Sequence, residues 1–473
     1  MKQEMDLFSL IEAIPVELQH IVASYDHLII FLLPYSKLLR YDWLTLMKII
    51  FSASYSKEVY TNEAMMKIYL NRSRKSPAKY CRENTIVRLT DGRFMGCGFN
   101  YGQMGLGDAI CRKEFTVIQG LPKNIIEFHV GKFDATFRSY GTLMRSSLNT
   151  NRIFKKIKLR AKGIAEIIYG YGNSKFIRYA DGTIMGSGYA DHVFGPATRY
   201  FKKIDYVQNV AEVHCGYDHT ILRLMSGTLM TCGQNRFGQL GLGDEENRGK
   251  FTEIQAMDKF KANIVEIIAG FCMSMIRLLD GTIMCCGYNV SGELGFGDTT
   301  NRFSFCAIKL IPQNIDRIFC GHYHTVVLLT NGALMCCGSG VSGQLGLGDR
   351  DVRLSFTEIG GVPRNVVDVY CGHSNTIIRL EDGTLLATGK NENGQLGLGD
   401  YIDRTNFQEI KPLPKNIVEV VCHETGTIIR LTDGTLMGCG SNAAGELGLG
   451  VTTYVNTFTE IKLDGGGFVT EIA

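Results

Sequence analysis

A repeat constrains this chain more than any other property. The segment Thr427 to Gly448 reads TIIRLTDGTLMGCGSNAAGELG, and close copies of it recur for most of the length. Thr427 to Leu431 and Leu436 to Cys439 are short apolar runs that meet at Asp433-Gly434. That pair tolerates the positive φ values of a tight turn, so each copy predicts a β-hairpin. The Gly-Glu-Leu-Gly-Leu-Gly that follows places glycines at 445, 448 and 450. Such spacing suits a compact loop packed on its neighbours in backbone conformations closed to other residues.

The loop recurs from Gly102, Gly238, Gly292, Gly343 and Gly394, and the last four intervals, ending at Gly445, are 54, 51, 51 and 51 residues. Gly102 and Gly238 lie 136 residues apart, too far for one period, and two worn hairpins fill the gap around Gly141 and Gly182. Neither is followed by the glycine loop. Hairpin glycines therefore fall at 92, 141, 182, 227, 281, 332, 383 and 434, eight in all. A third apolar run ending in Gly precedes each intact hairpin, as in NIVEIIAG from Asn263, and a fourth follows the loop, as in FTEI from Phe251. Four short strands in a period of about fifty residues is the pattern of one propeller blade, with a solenoid as the competitor. The first hairpin lacks the preceding run, while Val469 to Ala473 aligns with IVEII from Ile264. The C-terminal strand thus closes a ring, whereas a solenoid would need polar capping repeats. The expected fold is all-β: a β-propeller of four-stranded blades over residues 81–473, eight repeats by count, preceded by a small α-helical segment over residues 1–80.

Residues 322–349 and 373–400 carry His-Thr, Asp-Gly-x-Leu, Gly-x-Asn and Gly-Gln-Leu-Gly-x-Gly-Asp elements almost word for word. This pattern resembles the repeats of the regulator of chromosome condensation family. The resemblance implies seven blades where the hairpins number eight. It also implies guanine nucleotide exchange on a small GTPase with chromatin attachment, as in the founding member, where a hairpin wedge projects from a blade. Repeats spaced 51 to 54 residues apart leave no room for an added wedge. In the N-terminal segment, apolar residues at Leu7, Leu10, Ile11, Ile14, Leu18, Ile21 and Val22 have helical spacing. The run from Ile14 is similar to an F-box, with Ile14, Pro15, Glu17, Leu18 and Ile21 in place of its Leu-Pro-x-Glu-Leu opening. An F-box would imply a cullin adaptor as partner and a substrate-receptor role in a ubiquitin ligase. The same residues also suit a plain helical cap on the propeller, and Asn71 to Arg82 reads as a basic linker.

A net charge of +3 argues neither for nor against a polyanion partner, and nucleic acid is not expected. No secretory signal pattern opens the chain, and Leu28 to Pro34 is far shorter than the ~20 residues that cross a bilayer. A cytoplasmic or nuclear protein without membrane attachment is expected. Fifteen cysteines without a Cys-x-x-Cys pair predict reduced, mostly buried thiols in a reducing compartment. The glycine loop runs in the reverse order of a dinucleotide fingerprint and lacks the Lys-Ser/Thr of a phosphate loop. His219 and His324 share one repeat slot and are read as strand-tying hydrogen-bond formers. Asp108, Asp244, Asp298, Asp349 and Asp400 are read as acceptors of backbone N–H groups in their own loops. No nucleophile, base and orienting acid stand out, so no enzyme, cofactor or metal is expected.

Departures from the repeat concentrate in residues 129–206. There Lys155, Lys156, Lys158, Arg160 and Lys162 alternate with apolar residues, predicting a strand with one charged face and the best local candidate for a partner contact. The expected function is a protein-interaction module or scaffold. Nucleotide exchange on a small GTPase and a structural place in an assembly are the alternatives.

Overall fold

The computed structural model describes the chain outside residues 1–37, 39–40, 52–54, 57, 75–83, 123, 132–133, 148–151, 158, 160–162, 171–173, 189–197, 423–424, 464–467 and 473. Among the described residues, eight four-stranded antiparallel sheets form, one for each hairpin glycine. The turns have the predicted chemistry: Gly434 sits at φ +84°, and Asp433 Oδ1 accepts the N–H of Thr435 at 2.9 Å. Blade 1 joins the two ends of the ring. Val469–Ile472 lies antiparallel to Asn84–Leu89, pairing Val87 with Ile472 and Arg88 with Glu471, and Phe94–Gly98 and Arg112–Val117 follow outward. Blades 2 to 8 begin at Ile125–Val130, Ile164–Tyr169, Val210–Cys215, Ile264–Ala269, Ile315–Cys320, Val366–Cys371 and Ile417–Cys422. These first strands touch their counterparts between blades 3 and 4, 4 and 5, 6 and 7, and 7 and 8, which places them around the central axis.

Seven blades, the number implied by the family resemblance, is corrected to eight. The hairpins at Gly141 and Gly182 lack the glycine loop yet complete their own sheets. They keep the apolar sequence a blade needs: Phe137, Phe176 and Ile177 are fully buried against the neighbouring blades.

Where the glycine loop is present, it hooks onto the outer strand of the next blade. Gly297 N–H donates to Leu354 at 2.7 Å, Gly399 to Asn456 and Gly450 to Lys113 at 2.8 Å. Nearer the axis, an arginine on the second strand of most blades faces an acid on the first. The pairs are Arg138 with Glu127 at 2.7 Å, Arg178 with Glu166 at 2.8 Å, Arg223 with Glu212 at 3.4 Å, Arg277 with Glu266 at 3.0 Å, and Arg430 with Glu419 at 2.9 Å. Arg223 and Arg379 also donate to the first-strand carbonyls of the following blades, Ile264 at 2.9 Å and Ile417 at 3.1 Å. Blade 6 inverts the pattern. Leu328 stands in the arginine position, and Arg317, in the acid position, pairs with Asp368 of blade 7 at 3.1 Å.

Among the described residues, two helices precede the ring, α1 (Trp43–Phe51) and α2 (Asn62–Arg74). Asp42 caps the first, accepting Thr45 N–H at 3.1 Å, and Thr61 caps the second through Ala64 N–H at 3.1 Å. Trp43, Leu46, Met47, Met65, Met66 and Tyr69 bury together with Ala211 and Val265 from the first strands of blades 4 and 5. Polar ties support this docking: Ser56 N–H to Met225 O at 3.0 Å, Lys67 Nζ to Leu279 O at 3.0 Å, and Arg178 to Phe51 O at 2.9 Å. The residues equivalent to Ala211 in blades 2 and 8, Ile126 and Val418, stay about 40 % exposed. The helices therefore cover one sector of the face that carries the Asp-Gly turns. The basic linker expected from Asn71 is corrected in part, because Asn71 to Arg74 continue α2. With no proline between Asn62 and Pro77, no helix breaker of that kind stops α2 earlier.

Candidate functional site: an aromatic face on blades 4 to 7

The basic run is only partly placed. Lys155 and Lys156 form a two-residue outer strand of blade 2, paired with Arg145 and Met144, and both are exposed. The predicted strand does not continue, since Ile157 and Leu159 turn into a neighbouring apolar cluster. Lys158, Arg160 and Lys162 lie outside the described residues, as do Ile14, Pro15, Glu17, Leu18 and Ile21.

The repeated polar residues act as fasteners, as their repetition predicts. His219 Nε2 meets Ser274 Oγ of the next blade at 2.9 Å, and His324 Nε2 meets Thr376 Oγ1 at 2.9 Å. That hydroxyl in turn donates to the glycine loop of the preceding blade, Ser274 to Gln239 O at 2.7 Å and Thr376 to Gln344 O at 2.8 Å. Burial lowers both histidines to about 4, so they are neutral ties. The loop aspartates accept backbone N–H groups, for example Asp244 from Glu246 and Asp298 from Thr300 at 2.9 Å. They also pair with an arginine four residues on, which the sequence reading did not anticipate. In the worn blades the His–Thr tie becomes a buried ion pair, Asp134 with Lys175 at 2.7 Å.

The face opposite the helices departs from this architecture. Each first strand of blades 4 to 7 ends at a glycine, and a tight turn closes on the second strand, as in Gly321 N–H to His324 O at 2.9 Å. The residue after that glycine is projected from the turn: Tyr217, Phe271, His322 and His373. Their rings form a row, with centroids 4.4 Å apart for Tyr217–Phe271, 4.2 Å for the stacked Phe271–His322 and 4.2 Å for His322–His373. Tyr323 joins this row to an outer pair, lying 5.7 Å from His373, 6.0 Å from Phe271 and 6.4 Å from Tyr288, which packs on Phe237 at 4.9 Å. Seven half-buried rings from four blades are thus contiguous at the surface.

Within electrostatic reach of Tyr288 is a buried carboxyl. Glu293 occupies the slot that Gln103, Gln239, Gln344 and Gln395 fill in other blades, and it is 1 % exposed. Its Oε2 accepts Ser291 N–H at 2.9 Å, while Oε1 has no partner among the described residues. In blade 1 the glutamine amide uses its second atom as a donor, Gln103 Nε2 to Phe99 O at 2.7 Å. A glutamate has an oxygen there instead. Burial raises the Glu293 carboxyl above its ordinary range. Burial likewise pushes the Cys272 thiol up to about 12, with Asp218 and Glu293 adding to the effect.

The row is not legible in the sequence as a repeat, because its members are different residue types at one repeat slot about fifty residues apart. The signal available was the large ring after each of those glycines. Among the described residues no group of three His, Cys, Asp or Glu is placed to hold a metal ion, and no helix is long and apolar enough to cross a membrane. The arrangement offers contact area and charge rather than a catalytic constellation.

A family model described as RCC1-like domain matches residues 198–473. The ultraviolet-B receptor UVR8 of Arabidopsis thaliana is 27 % identical over 293 residues, covering 60 % of this chain and 62 % of the receptor. The human probable E3 ubiquitin-protein ligase HERC3 is 31 % identical over 198 residues, covering 41 % of this chain and 18 % of the ligase. The chain therefore spans about three fifths of the one and under a fifth of the other. Among solved structures, yeast (Saccharomyces cerevisiae) Prp20p superposes with a TM-score of 0.50 at 16 % identity, covering 72 % of this chain and 88 % of Prp20p, a likeness of fold alone.

Proposed function

Because the chain belongs to the family of RCC1-like domains, we propose that it is a non-catalytic interaction module that holds a protein partner across the aromatic face of blades 4 to 7. The observation that carries this reading is the contiguous set of seven half-buried rings on the face opposite helices α1 and α2. Aromatic residues supply large, rigid contact area and are enriched at the centres of protein interfaces. The finer reading is a substrate receptor of a ubiquitin ligase acting in the cytoplasm or nucleus, with the segment from Ile14 to Ile21 engaging a cullin adaptor. The ligase name carried by HERC3 supports that association. Exchange on a small GTPase is the second reading, favoured by Prp20p, whose structure is described with its binding to Gsp1p and histones.

The test is affinity capture from host lysate with the full chain and with a His322→Ser/Tyr323→Ser variant, read by mass spectrometry. Both proteins should recover a cullin with its adaptor, and only the wild-type face should recover the remaining partners. An unchanged partner set in the variant removes the face from function. Recovery of a small GTPase with accelerated nucleotide release replaces the receptor reading by exchange.

A further inference from the structure

We propose that the aromatic face recognises a positively charged protein segment, seating a lysine or arginine side chain over Tyr288 and Tyr323 near the Glu293 carboxyl; this rests on the reading of that face as the docking surface. Three observations converge on it. The first is the ring set itself. Tyr323 lies within 6.4 Å of Phe271, His322, His373 and Tyr288, so a side chain laid across it meets several aromatic faces at once. The face of an aromatic ring carries negative potential and attracts ammonium and guanidinium groups. The molecule already uses this attraction at the edge of the same surface, where the Arg236 guanidinium stands 5.6 Å from the Phe237 centroid.

The second observation is Glu293. Every other copy of the glycine loop except the one at Glu446 has glutamine in this slot. Packing alone would be met by glutamine, as it is at Gln239 and Gln344. A glutamate 1 % exposed, with Oε1 unpartnered, has its charge opposed by burial and answered by no cation of its own blade. It is close enough to Tyr288 to act on the tyrosine hydroxyl. A cation placed over Tyr288 and Tyr323 would supply the missing counter-charge through a poorly solvated layer of rings, where charge–charge attraction is much less screened than in water.

Third, the acid is not alone. Asp218, exposed next to Tyr217, acts on Cys272 together with Glu293, so acids from both blades 4 and 5 reach this residue. Among the described residues, Arg236 at this surface stands on Phe237, and Lys390 is paired with Glu392 at 2.9 Å. A cationic segment therefore fits this surface better than an acidic or purely apolar one.

The experiment uses the full chain and fluorescein-labelled decapeptides of alternating Arg-Gly, Lys-Gly and Glu-Gly, with binding followed by fluorescence anisotropy. The two basic peptides should bind and the acidic peptide should not. Glu293→Gln should weaken the basic peptides at least ten-fold, and Tyr323→Leu by a similar factor. Glu293→Gln installs the residue that blades 4, 6 and 7 already carry, so the ring stays folded, and an unlowered melting temperature checks this. Basic peptides that bind both variants as tightly as wild type, or that do not bind wild type at all, overturn the proposal. If that happens while the His322→Ser/Tyr323→Ser protein still loses its captured partners, the face remains the docking surface and only its charge preference is refuted.

Discussion

His219 and His324 show how a residue that looks chemical serves structure, and the consequence is measurable in pH. Each is buried, tied by Nε2 to a hydroxyl of the next blade, and lowered to about 4 from an ordinary value of 6.5. Below 6.5 the unfolded chain takes up protons that the folded ring refuses, so stability is lost as pH falls from 6.5 to 4 and then levels off for these two groups. The loss should be of the order of a few kcal/mol for the pair. The double variant His219→Gln/His324→Gln should flatten the melting temperature across that window; a slope equal to that of wild type would assign it to other groups. Glu293 has the opposite sign. Its carboxyl is raised, so the stability linked to its proton is present below 4.5 and lost as pH rises through the folded value. Glu293→Gln should therefore be more stable than wild type at neutral pH, even as it loses the binding proposed for it.

At the scale of the element, the glycine loop and the His–Thr tie are the two devices that join one blade to the next. Gly397 has φ +68°, and a Cβ there would come within 2.5 Å of the Phe458 ring of the next blade. Gly399 has φ +89° but only a methyl at 3.9 Å. Alanine at 399 bears backbone strain alone, about 1–2 kcal/mol. Alanine at 397 adds overpacking of about 1–3 kcal/mol. Chemical denaturation should thus rank Gly397→Ala below Gly399→Ala, and equal midpoints would mean that Phe458 moves freely. In the worn blades, Asp134→Ala leaves Lys175 and Arg145 without the acid they share and should cost about 3–5 kcal/mol. These devices divide what the sequence discloses from what it hides. The eight hairpins were legible because Asp-Gly turns and apolar runs are local, and so were the fastening histidines, because they repeat. The Arg–acid pairs, such as Arg277 with Glu266, were equally periodic but passed unread, as each half looks like an ordinary charged residue until the strands are paired. The aromatic face was hidden for a different reason: Tyr217, Phe271, His322 and His373 share a place in space without sharing a residue type. Lys155 and Lys156 were legible from charge alone, and the structure places both on the exposed outer strand of blade 2.

At the scale of the whole molecule, the ring has one seam that the chain itself does not cross. The first strand of blade 1 comes from Val469–Ile472, and the other three come from residues 84–117. Val469 and Ile472 are 2 % and 0 % exposed and pack with Val87, Leu89 and Val421, so the seam is an apolar interface as well as a ladder of hydrogen bonds. Removing residues 469–473 deletes two buried aliphatic side chains, each worth about 2–5 kcal/mol when lost from a core. It also leaves Asn84–Leu89 as an unpaired strand edge facing the axis, open to pairing with another chain. In a closed ring, that loss loosens blade 1 against both blade 2 and blade 8. The truncated protein should therefore lose several kcal/mol of stability and melt at a lower temperature, exchange amide protons faster in blades 8, 1 and 2 than in blade 5, and associate with itself. The helices α1 and α2 dock on blades 4 and 5, across the ring from the seam, so they should not rescue it. If exchange rises uniformly around the ring, opening is global and the seam has no special weakness; if the melting temperature does not change, the C-terminal strand is dispensable for closure.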